Sequence, residues 1–511
     1  MTGRRTTGAS ADADAGSPGS SRPVRTRFSP SASGELHAGH IRTALYAWAW
    51  ARHTGGRFVL RIEDADRARA SEKSVASILD DLRWLGLDWD EGPQVGGDCG
   101  PYLQSERSAI YQEWVQRFLA AGHAYHCYCT HEELEAEREA QRSKGLPEGY
   151  SGRCRNLDSR DVARFRAEGR EPVVRFRMPP GSTTVRDTVR GDVVFDHATI
   201  PDFVVMRANG SPLYNLTTAI DDALMQVTHV IRGEDLLAAT PRQLAIRRAM
   251  GVPADDVPIF THCPHILDAD GEPISGRFGT TTVTWFRENG FLPEAVLNYL
   301  ALLGWSPGDN REALDIEEFV ALFDLRRVGA TPGRFDLKKL EAINGEKIRS
   351  LQPADVADRI LPHLVAAGLV ADPPTPDEAR LVTAVAPLIR ERVRRLTDAV
   401  DLVSFLFVGD DAFAVDPEAA ARILTEDSRQ VLQAAVDALE ALQTWDHGSI
   451  EHTLREVLVT KLGQKPKHAF GPVRVAATGR RVSPPLFESL ELLGKERTLA
   501  RIRRALAMDV G

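Results

Sequence analysis

The sequence predicts an α/β front half followed by an all-helical back half, and three observations support this division. Short apolar runs alternate with helical stretches up to Phe286, the pattern of βαβ units around a parallel sheet. Beyond Phe286 the periodicity is almost purely helical to the end of the chain. At 511 residues the chain is longer than one hydrophobic core usually serves, so we expect about two to four domains.

Composition narrows the class of protein. The hydrophobic and charged fractions, 43% and 26%, are ordinary for a globular protein, and no apolar run is long enough to predict a membrane span. The first 22 residues lack the apolar core of a secretory signal and are predicted to be a disordered tail. Five cysteines in a chain of this length favour a reducing, cytoplasmic location over a disulfide framework. The net charge of −9 argues against a generally basic nucleic-acid binder but leaves room for local basic faces.

The first ordered segment has the outline of a βαβ unit. Residues 24–28 predict a short strand, and a small-residue loop leads into a helix in which Ile41, Leu45 and Trp48 share one face. Residues 57–62 predict the second strand. In such a unit the loop, the start of the helix and the end of the second strand meet at one edge of the sheet.

Segments with strand-like composition recur in the middle of the chain. We expect extended structure at 171–179, 191–198 and 202–222. A further apolar run at 225–235 ends in charges at Arg232, Glu234 and Asp235. This run is predicted to be another strand that delivers polar groups at its carboxyl end.

Two histidines stand where the first predicted helix begins. Residues 27–45 read RFSPSASGELHAGHIRTAL, in which a small-residue loop precedes the helix and His37 and His40 lie three residues apart. Free N–H groups at a helix start attract phosphate, and two imidazoles there can donate to a nucleotide as charge builds. The alternative is a capped surface helix with incidental histidines.

Polar side chains also end the predicted strands. Glu63, Asp64 and Asp66 follow the second strand, where carboxylates facing a crevice could hold an amino group. Tyr214 and Arg232 would supply a hydroxyl and a guanidinium, and the guanidinium fork suits a carboxylate. The alternatives are solvated loop acids for the first group and buried structural side chains for the second.

A short segment gathers potential metal ligands. These are Cys127, Cys129, Tyr150 and Cys154. Three thiolates and a phenol can complete a closed, tetrahedral zinc site, although His126 or His131 would compete with the tyrosine as the fourth ligand. Reduced cysteines without a metal are the alternative.

Taken in order, these segments resemble glutamyl-tRNA synthetase, a class I aminoacyl-tRNA synthetase. The similarity covers residues 23 to about 505 and includes SPSASGELHAGHIRTAL, RFVLRIEDADR, SPLYNLTTAIDDALMQVTHVIRGEDLLAATPRQ, FLPEAVLNYLALLGWSP and RFDLKKLEAINGEKIR. A nucleotidyltransferase with an H-x-G-H motif would explain only the first 70 residues. A glutaminyl enzyme is disfavoured because the back half is predicted to be helical rather than β-barrels.

The resemblance implies a Rossmann-type class I synthetase catalytic domain with an insertion, followed by an all-helical anticodon-binding half. The expected division is a disordered tail (1–22), the first Rossmann half with the HIGH region (23–124), an acceptor-stem-binding insertion with the zinc knuckle (125–210), the second Rossmann half (211–262), a KMSKS-like loop with the stem-contact region (263–345) and the helical anticodon-binding region (346–511).

The resemblance also implies ligands and site residues. The expected ligands are L-glutamate, ATP with Mg²⁺, the tRNA for glutamate and a structural Zn²⁺, in a monomer without membrane contact. The glutamate pocket would be lined by Arg27, Ser31, Glu63, Tyr214 and Arg232. The ATP site would contain His37, Gly39 and His40, and the first and last of these would act in catalysis. Basic faces for RNA would come from Arg390, Arg392, Arg394 and Arg395, or from Lys461, Lys465 and Lys467.

One loop departs from the family pattern. The family normally carries a KMSKS variant such as K-L-S-K-R, whereas residues 273–277 here read PISGR, without either lysine. Ser275 and Arg277 are the remaining candidates for ATP binding and catalysis. Losing one preorganised charge typically costs about 3 to 4 kcal/mol in a transition state, so the rate of activation is in question. A catalytically weak paralogue that binds tRNA or acts as a regulator is therefore the alternative to an active ligase.

Overall fold

The computed structural model describes residues 22–65, 71–274 and 281–508. The chain forms two compact units. The first comprises the chain up to Ile266 together with Gly304–Asp309 and Glu317–Gly333. The second comprises Leu267–Leu303, Asn310–Ile316 and the chain from Arg334 onward.

The described residues contain eleven strands and twenty α-helices. Strands β1 to β11 cover, in order, Arg25–Phe28, Arg57–Leu60, Ala124–Cys127, Val173–Phe176, Ser182–Asp187, Gly191–Asp196, Phe203–Met206, His229–Gly233, Ile259–Cys263, Ile266–Leu267 and Gly333–Arg334. Helices α1 to α10 cover Ala38–His53, Glu72–Trp84, Ser108–Ala120, His131–Ser143, Ser159–Ala167, Tyr214–Leu224, Thr240–Ala249, Val283–Glu288, Pro293–Leu302 and Ile316–Leu322. Helices α11 to α20 cover Leu337–Ser350, Pro353–Ala366, Pro376–Ile389, Asp398–Phe407, Pro417–Ile423, Glu426–Glu440, His447–Leu454, Pro466–Thr478, Leu486–Leu493 and Lys495–Leu506.

A six-stranded sheet forms the centre of the first unit, in the order β2-β1-β8-β9-β5-β6. All neighbouring pairs are parallel except β5 and β6, which form an antiparallel pair at one edge. Strands β1, β2 and β8 are mostly buried, as expected for a parallel sheet covered by helices. The predicted βαβ unit is confirmed, and its strand ends meet at one edge of this sheet.

A smaller antiparallel sheet, in the order β3-β4-β7, lies within the segment predicted to be an insertion. Its core packs Phe118 edge-on against Phe176, and Val205 and Ile220 are fully buried with them. The highly charged α4 follows β3 and begins with a capping box, in which the Thr130 hydroxyl and the Glu133 carboxylate satisfy each other's backbone N–H groups. This cap explains how a helix with no buried residue begins at a defined position.

Among the described residues of the second unit, the regular structure is helical apart from the residues of the short β10 and β11, as the periodicity predicts. A fully buried asparagine joins three of its segments. Asn344 accepts a hydrogen bond from the backbone N–H of Leu292 at 2.8 Å and donates to the carbonyl oxygens of Arg394 at 2.6 Å and Gly290 at 3.4 Å. A buried amide with these partners fixes the loops between helices.

One predicted strand is wrong in its second half. Residues 202–222 were expected to be extended, but only Phe203–Met206 is a strand, and Tyr214–Leu224 forms α6. The β-branched Thr217 and Thr218 give this stretch its strand-like composition. The helix forms because Leu216, Ala219 and Ile220 recur at helical spacing and are buried. Within the described ranges no helix is both long and apolar enough to cross a membrane.

Candidate active site

The loops after β1 and β2 lie side by side at the carboxyl edge of the central sheet. Ser31 and Glu63 form an isolated parallel bridge just beyond the two strands. The backbone N–H of Glu63 donates to the carbonyl of Pro30 at 2.9 Å, and that of Ala32 donates to the carbonyl of Glu63 at 3.3 Å. The strand extension therefore brings Ser31 and Glu63, predicted from separate motifs, into direct proximity.

The start of α1 holds two neutral imidazoles in contact. His37 is the N-cap, and its Nδ1 accepts a hydrogen bond from the Gly39 N–H at 3.2 Å. This bond leaves the proton of a neutral His37 on Nε2, which can donate to a ligand. The rings of His37 and His40 lie 3.8 Å apart, burial lowers the pKa of His37, and burial together with His37 lowers the pKa of His40 to about 3. Both side chains are therefore uncharged donors near neutral pH.

The floor of the site contains buried ion pairs. Arg61 is fully buried and its Nη1 donates to Asp222 at 2.7 Å. Arg27, also buried, lies 3.4 Å from the same carboxylate and donates to the carbonyl of Ile231 at 3.3 Å. Glu63 lies 3.5 Å from Arg61, and burial raises its pKa although Arg61 and Arg27 oppose the shift. Arg27 and Glu63 thus occupy one charged cluster at the end of β1 and β2.

Another buried arginine of the site, Arg232, differs from Arg61 and Arg27 in its hydrogen-bond partners. Arg232, at the end of β8, is 5% exposed, and burial lowers its pKa. Its hydrogen bonds in the described part of the chain go to neutral acceptors: the hydroxyl of Tyr214 at 3.3 Å, the amide oxygen of Gln243 at 3.0 Å, the hydroxyl of Thr240 at 2.8 Å, the carbonyl of Leu236 at 3.2 Å and Nε2 of His262 at 3.1 Å. Asp222 and Glu63 act on this cation electrostatically without outweighing its burial, and within the described residues no carboxylate is hydrogen-bonded to it, so it can attract an anionic ligand.

The four predicted zinc ligands also come together. The sulfur atoms of Cys127, Cys129 and Cys154 all lie within 4.8 Å of one another, and Cys129 and Cys154 are 3.5 Å apart. The Tyr150 hydroxyl accepts hydrogen bonds from the thiol of Cys127 at 3.6 Å and from the backbone N–H of Cys154 at 2.7 Å. The guanidinium of Arg175 lies 3.9 Å from the centre of the Tyr150 ring. The donor set is compact, and His126 and His131 do not belong to this group of thiols.

Two family descriptions match the chain. Residues 23–342 match "tRNA synthetases class I (E and Q), catalytic domain", and residues 355–506 match "Anticodon binding domain". A glutamate–tRNA ligase of a Nocardioides species is 49% identical over 95% of this chain and 99% of its own length. A glutamate–tRNA ligase of Saccharopolyspora erythraea is 50% identical over 95% of this chain and 96% of its own length. The chain belongs to the glutamyl-tRNA synthetase family.

Solved structures agree with this membership. A glutamate tRNA ligase from Elizabethkingia meningosepticum, crystallised in complex with its amino acid, superposes with a TM-score of 0.81. It is 30% identical and covers 95% of this chain and 99% of its own. A glutamate-tRNA synthetase from Elizabethkingia anophelis gives a TM-score of 0.80 at the same identity. The family therefore confirms the fold class, a class I synthetase catalytic domain followed by a helical anticodon-binding domain.

The structure brings most of the predicted synthetase residues to one edge of the sheet, but not all. Asp64, next to Glu63, turns away and accepts hydrogen bonds from the backbone and hydroxyl of Ser105 at 2.8 and 2.6 Å. It therefore anchors a loop. Asp66, Ser275 and Arg277 lie outside the described residues.

Sequence reasoning missed several polar residues that build the site. Arg61 directly follows the apolar end of β2, and its partners Asp221 and Asp222 lie near the end of α6. Thr218 is buried with its hydroxyl 3.5 Å from Glu63, and Gln243 holds Arg232. Two adjacent acids inside an otherwise apolar helix were the available signal, since buried carboxylates need a partner.

Proposed function

We propose that this chain is an active glutamate–tRNA ligase that binds L-glutamate with Arg27, Ser31, Glu63, Tyr214 and Arg232. Membership of the family and the glutamate–tRNA ligase names of its relatives support the substrate class. The observation that carries the residue assignment is Arg232, a buried cation whose hydrogen bonds within the described residues all go to neutral acceptors. A carboxylate of glutamate would complete its charge.

The reaction has two steps. An oxygen of the glutamate α-carboxylate attacks the α-phosphorus of Mg²⁺-bound ATP, an O–P bond forms, and pyrophosphate leaves as the α–β bridge breaks. The ribose hydroxyl of the terminal adenosine of tRNA then attacks the acyl carbon, loses its proton, and AMP leaves. Positioning and charge stabilisation supply most of the acceleration in such transfers.

The histidines at the start of α1 are proposed to act on ATP. His37 presents its Nε2–H because Nδ1 is occupied by the Gly39 N–H. A Cβ at Gly39 would lie 3.1 Å from Cε1 of His37, so glycine leaves the ring room to keep this orientation. Uncharged N–H donors at a helix start can stabilise the charge that builds on the phosphates. Ser275 and Arg277 are proposed as further ATP contacts from the lysine-free loop.

The test is ATP–pyrophosphate exchange by the full chain with glutamate and total tRNA. We expect exchange that depends on glutamate and exceeds a control without enzyme. Exchange equal to that control would overturn the proposal. The double variant Pro273→Lys/Gly276→Lys restores ammonium groups to the loop and is expected to raise the rate roughly 100-fold or more, by the usual effect of a preorganised charge.

A matched variant separates this gain from a general effect of charge. Ala198→Lys/Thr199→Lys adds the same two charges at exposed positions of the first unit. Its exchange rate should equal that of the wild type. A weak wild-type rate that the loop variant does not raise would favour the accessory-factor alternative.

We further propose that Cys127, Cys129, Tyr150 and Cys154 hold a structural Zn²⁺. Tetrahedral zinc with Zn–S bonds of about 2.3 Å places sulfur atoms roughly 3.8 Å apart, close to the spacing of this cluster. Zinc would cross-link β3 to the loop before α5 and neutralise the thiolates. Metal analysis should find about one equivalent in the wild type and in Cys99→Ser, whose thiol lies outside the cluster, and much less in Cys154→Ser. Less than about a tenth of an equivalent in the wild type would overturn the site.

The individual residues that contact RNA are proposed as follows. The anticodon-binding match supports tRNA as partner, and Arg392, Arg394, Lys465 and Lys467 are exposed in the second unit. Arg390 already donates a hydrogen bond to the carbonyl of Leu351, and Arg395 already forms an ion pair with Glu341. Four further points stay predictions: specificity for the glutamate tRNA, the six-part division of the chain, the monomeric state and the cytoplasmic location.

A further inference from the structure

A histidine lies directly behind the buried Arg232. Strands β8 and β9 are parallel neighbours, and their register pairs Arg232 with His262. The Nε–H of Arg232 donates to Nε2 of His262 at 3.1 Å. Because a guanidinium nitrogen can only donate, Nε2 of this histidine must be unprotonated to accept the bond.

The other ring nitrogen of His262 contacts a buried carboxylate. Nδ1 lies 2.7 Å from Oδ2 of Asp187, and both side chains are fully buried. The same oxygen accepts the backbone N–H of His262 at 3.0 Å. A carboxylate only accepts, so Nδ1 must carry the proton. The two neighbours of the ring thus require the same tautomer.

Asp187 is itself fixed in orientation. Its Oδ1 accepts the backbone N–H groups of Val189 at 2.9 Å and Arg190 at 2.8 Å. The carboxylate therefore cannot rotate without losing bonds at both oxygens. Burial lowers the pKa of His262 and Asp187 opposes this shift, so the ring is neutral near neutral pH. The ring also stacks on Phe260, with centroids 5.9 Å apart.

We propose that Asp187 and His262 are positioning residues for amino-acid recognition, which fix the guanidinium of Arg232 in the orientation that receives the substrate carboxylate. This inference rests on the proposed role of Arg232 in binding glutamate. Neither residue touches the substrate. Asp187 ends β5, inside the stretch predicted to be the insertion, so the pocket depends on a residue from that stretch.

The tautomer that Asp187 and Arg232 impose on His262 predicts an effect of substitution that packing alone would not produce. In Asp187→Asn, the amide oxygen can keep the bonds from Val189 and Arg190, which leaves the amide NH₂ facing the ring. The NH₂ would oppose the Nδ1–H, so the ring would shift its proton to Nε2. That proton would then face the Nε–H of Arg232, and two donors would meet.

The test is a kinetic comparison in the exchange assay, with glutamate and ATP varied separately. We expect Asp187→Asn to raise KM for glutamate roughly 10- to 100-fold, the effect of losing one hydrogen bond to a charged group, and to change KM for ATP less than about twofold. Asp255→Asn makes the same change at an exposed site outside the predicted insertion and should leave both constants unaltered.

Two variants of the histidine keep the test decisive if Asp187→Asn fails to fold. The side-chain oxygen of His262→Gln can replace Nε2 as acceptor, whereas His262→Leu offers none. We expect glutamate KM within about fivefold of the wild type in the glutamine variant and a rise of at least tenfold in the leucine variant. Equal effects of the two variants, or equal changes in the KM values for glutamate and ATP, would overturn the inference. Absence of glutamate-dependent exchange in the wild type would instead overturn the proposed function.

Discussion

Two buried arginines in the first unit have opposite surroundings. Arg61 is fully buried, and carboxylates surround it: Asp222 at 2.7 Å, Asp221 at 3.6 Å and Glu63 at 3.5 Å. Arg232 is 5% exposed, and its hydrogen bonds within the described residues all go to neutral groups. Burial alone lowers the pKa of either side chain, yet the carboxylates raise that of Arg61, whereas that of Arg232 stays lowered.

The contrast distinguishes a structural arginine from one that awaits a ligand. Removing a charge from water costs several kcal/mol, so folding tolerates it when the counter-charge belongs to the protein. Around Arg61 the protein supplies that counter-charge. Around Arg232 the described residues supply hydrogen bonds from neutral groups, and the carboxylates of Asp222 and Glu63 only partly offset the cost of its burial, so an anionic ligand can add the closer negative charge. Substitution of the two arginines should therefore affect different properties.

The largest expected effect is on stability, from Arg61→Met. Asp221 and Asp222 would lose a partner while remaining buried, and breaking such a pair typically costs about 3 to 5 kcal/mol. Urea unfolding should show this loss in the free energy of unfolding. Arg57→Met changes a half-exposed arginine at the start of β2 and should cost no more than about 1 kcal/mol. A loss from Arg61→Met as small as that of Arg57→Met would mean that Arg27 and Arg107 neutralise both acids without it.

The next effect is on substrate use, from Arg232→Met. Losing a desolvated partner of a carboxylate typically costs about 2 to 5 kcal/mol, so kcat/KM for glutamate should fall roughly 30- to 5,000-fold. The free energy of unfolding should be equal or higher, because a buried charge that Asp222 and Glu63 only partly offset disappears. Arg248→Met, an exposed change on α7, is the control for both measurements. A destabilised protein with an unchanged KM for glutamate would mean that Arg232 has a structural role and does not bind the substrate.

The sequence predicts one arginine of this comparison and misses the other. Arg232 ends an apolar run together with Glu234 and Asp235, a pattern visible in a short window. Arg61 directly follows the apolar residues of β2, and its partner Asp222 lies 161 residues further along the chain. Local spacing carries no information on such a pairing, and only the packing of α6 against the strand end creates it.

The helix α6 shows the same limit in the fold. The division into an α/β front and a helical back follows from periodicity and is confirmed by the structure. Within Tyr214–Leu224, however, the threonines favour a strand. A helix forms there because it buries Leu216 and Ile220 against the rest of the core. Propensity is a weak guide where tertiary packing determines the element.

A smaller effect concerns acid stability. Burial alone would raise the pKa of Asp222, but Arg27 and Arg61 outweigh it and hold the pKa at about 2. A lowered pKa gives stability that is present above the unfolded-state value, about 3.9, and is lost as the pH falls through about 2. The full contribution is about 2 kcal/mol, of which about 1 kcal/mol should disappear between pH 5 and pH 3.

Unfolding free energies at these two pH values test this expectation. Asp222→Asn should be less stable than the wild type at pH 5 and should lose about 1 kcal/mol less on acidification to pH 3. The exposed Asp192→Asn should follow the wild type. The same slope in wild type and Asp222→Asn would show that the pKa of Asp222 is not lowered, so that Asp221 and Glu63 would be the carboxylates that neutralise Arg61.

The smallest effect is expected from Tyr214→Phe. Its hydroxyl accepts from Nη1 of Arg232 at 3.3 Å, a long bond that a bound carboxylate can replace. Gln243, Thr240 and His262 still hold the guanidinium in the variant, so its position should persist. The net value of such a bond is about 1 kcal/mol, which predicts a rise of KM for glutamate of roughly fivefold with kcat unchanged. A rise as large as that of Arg232→Met would mean that the position of Arg232 depends on this tyrosine rather than on Gln243, Thr240 and His262.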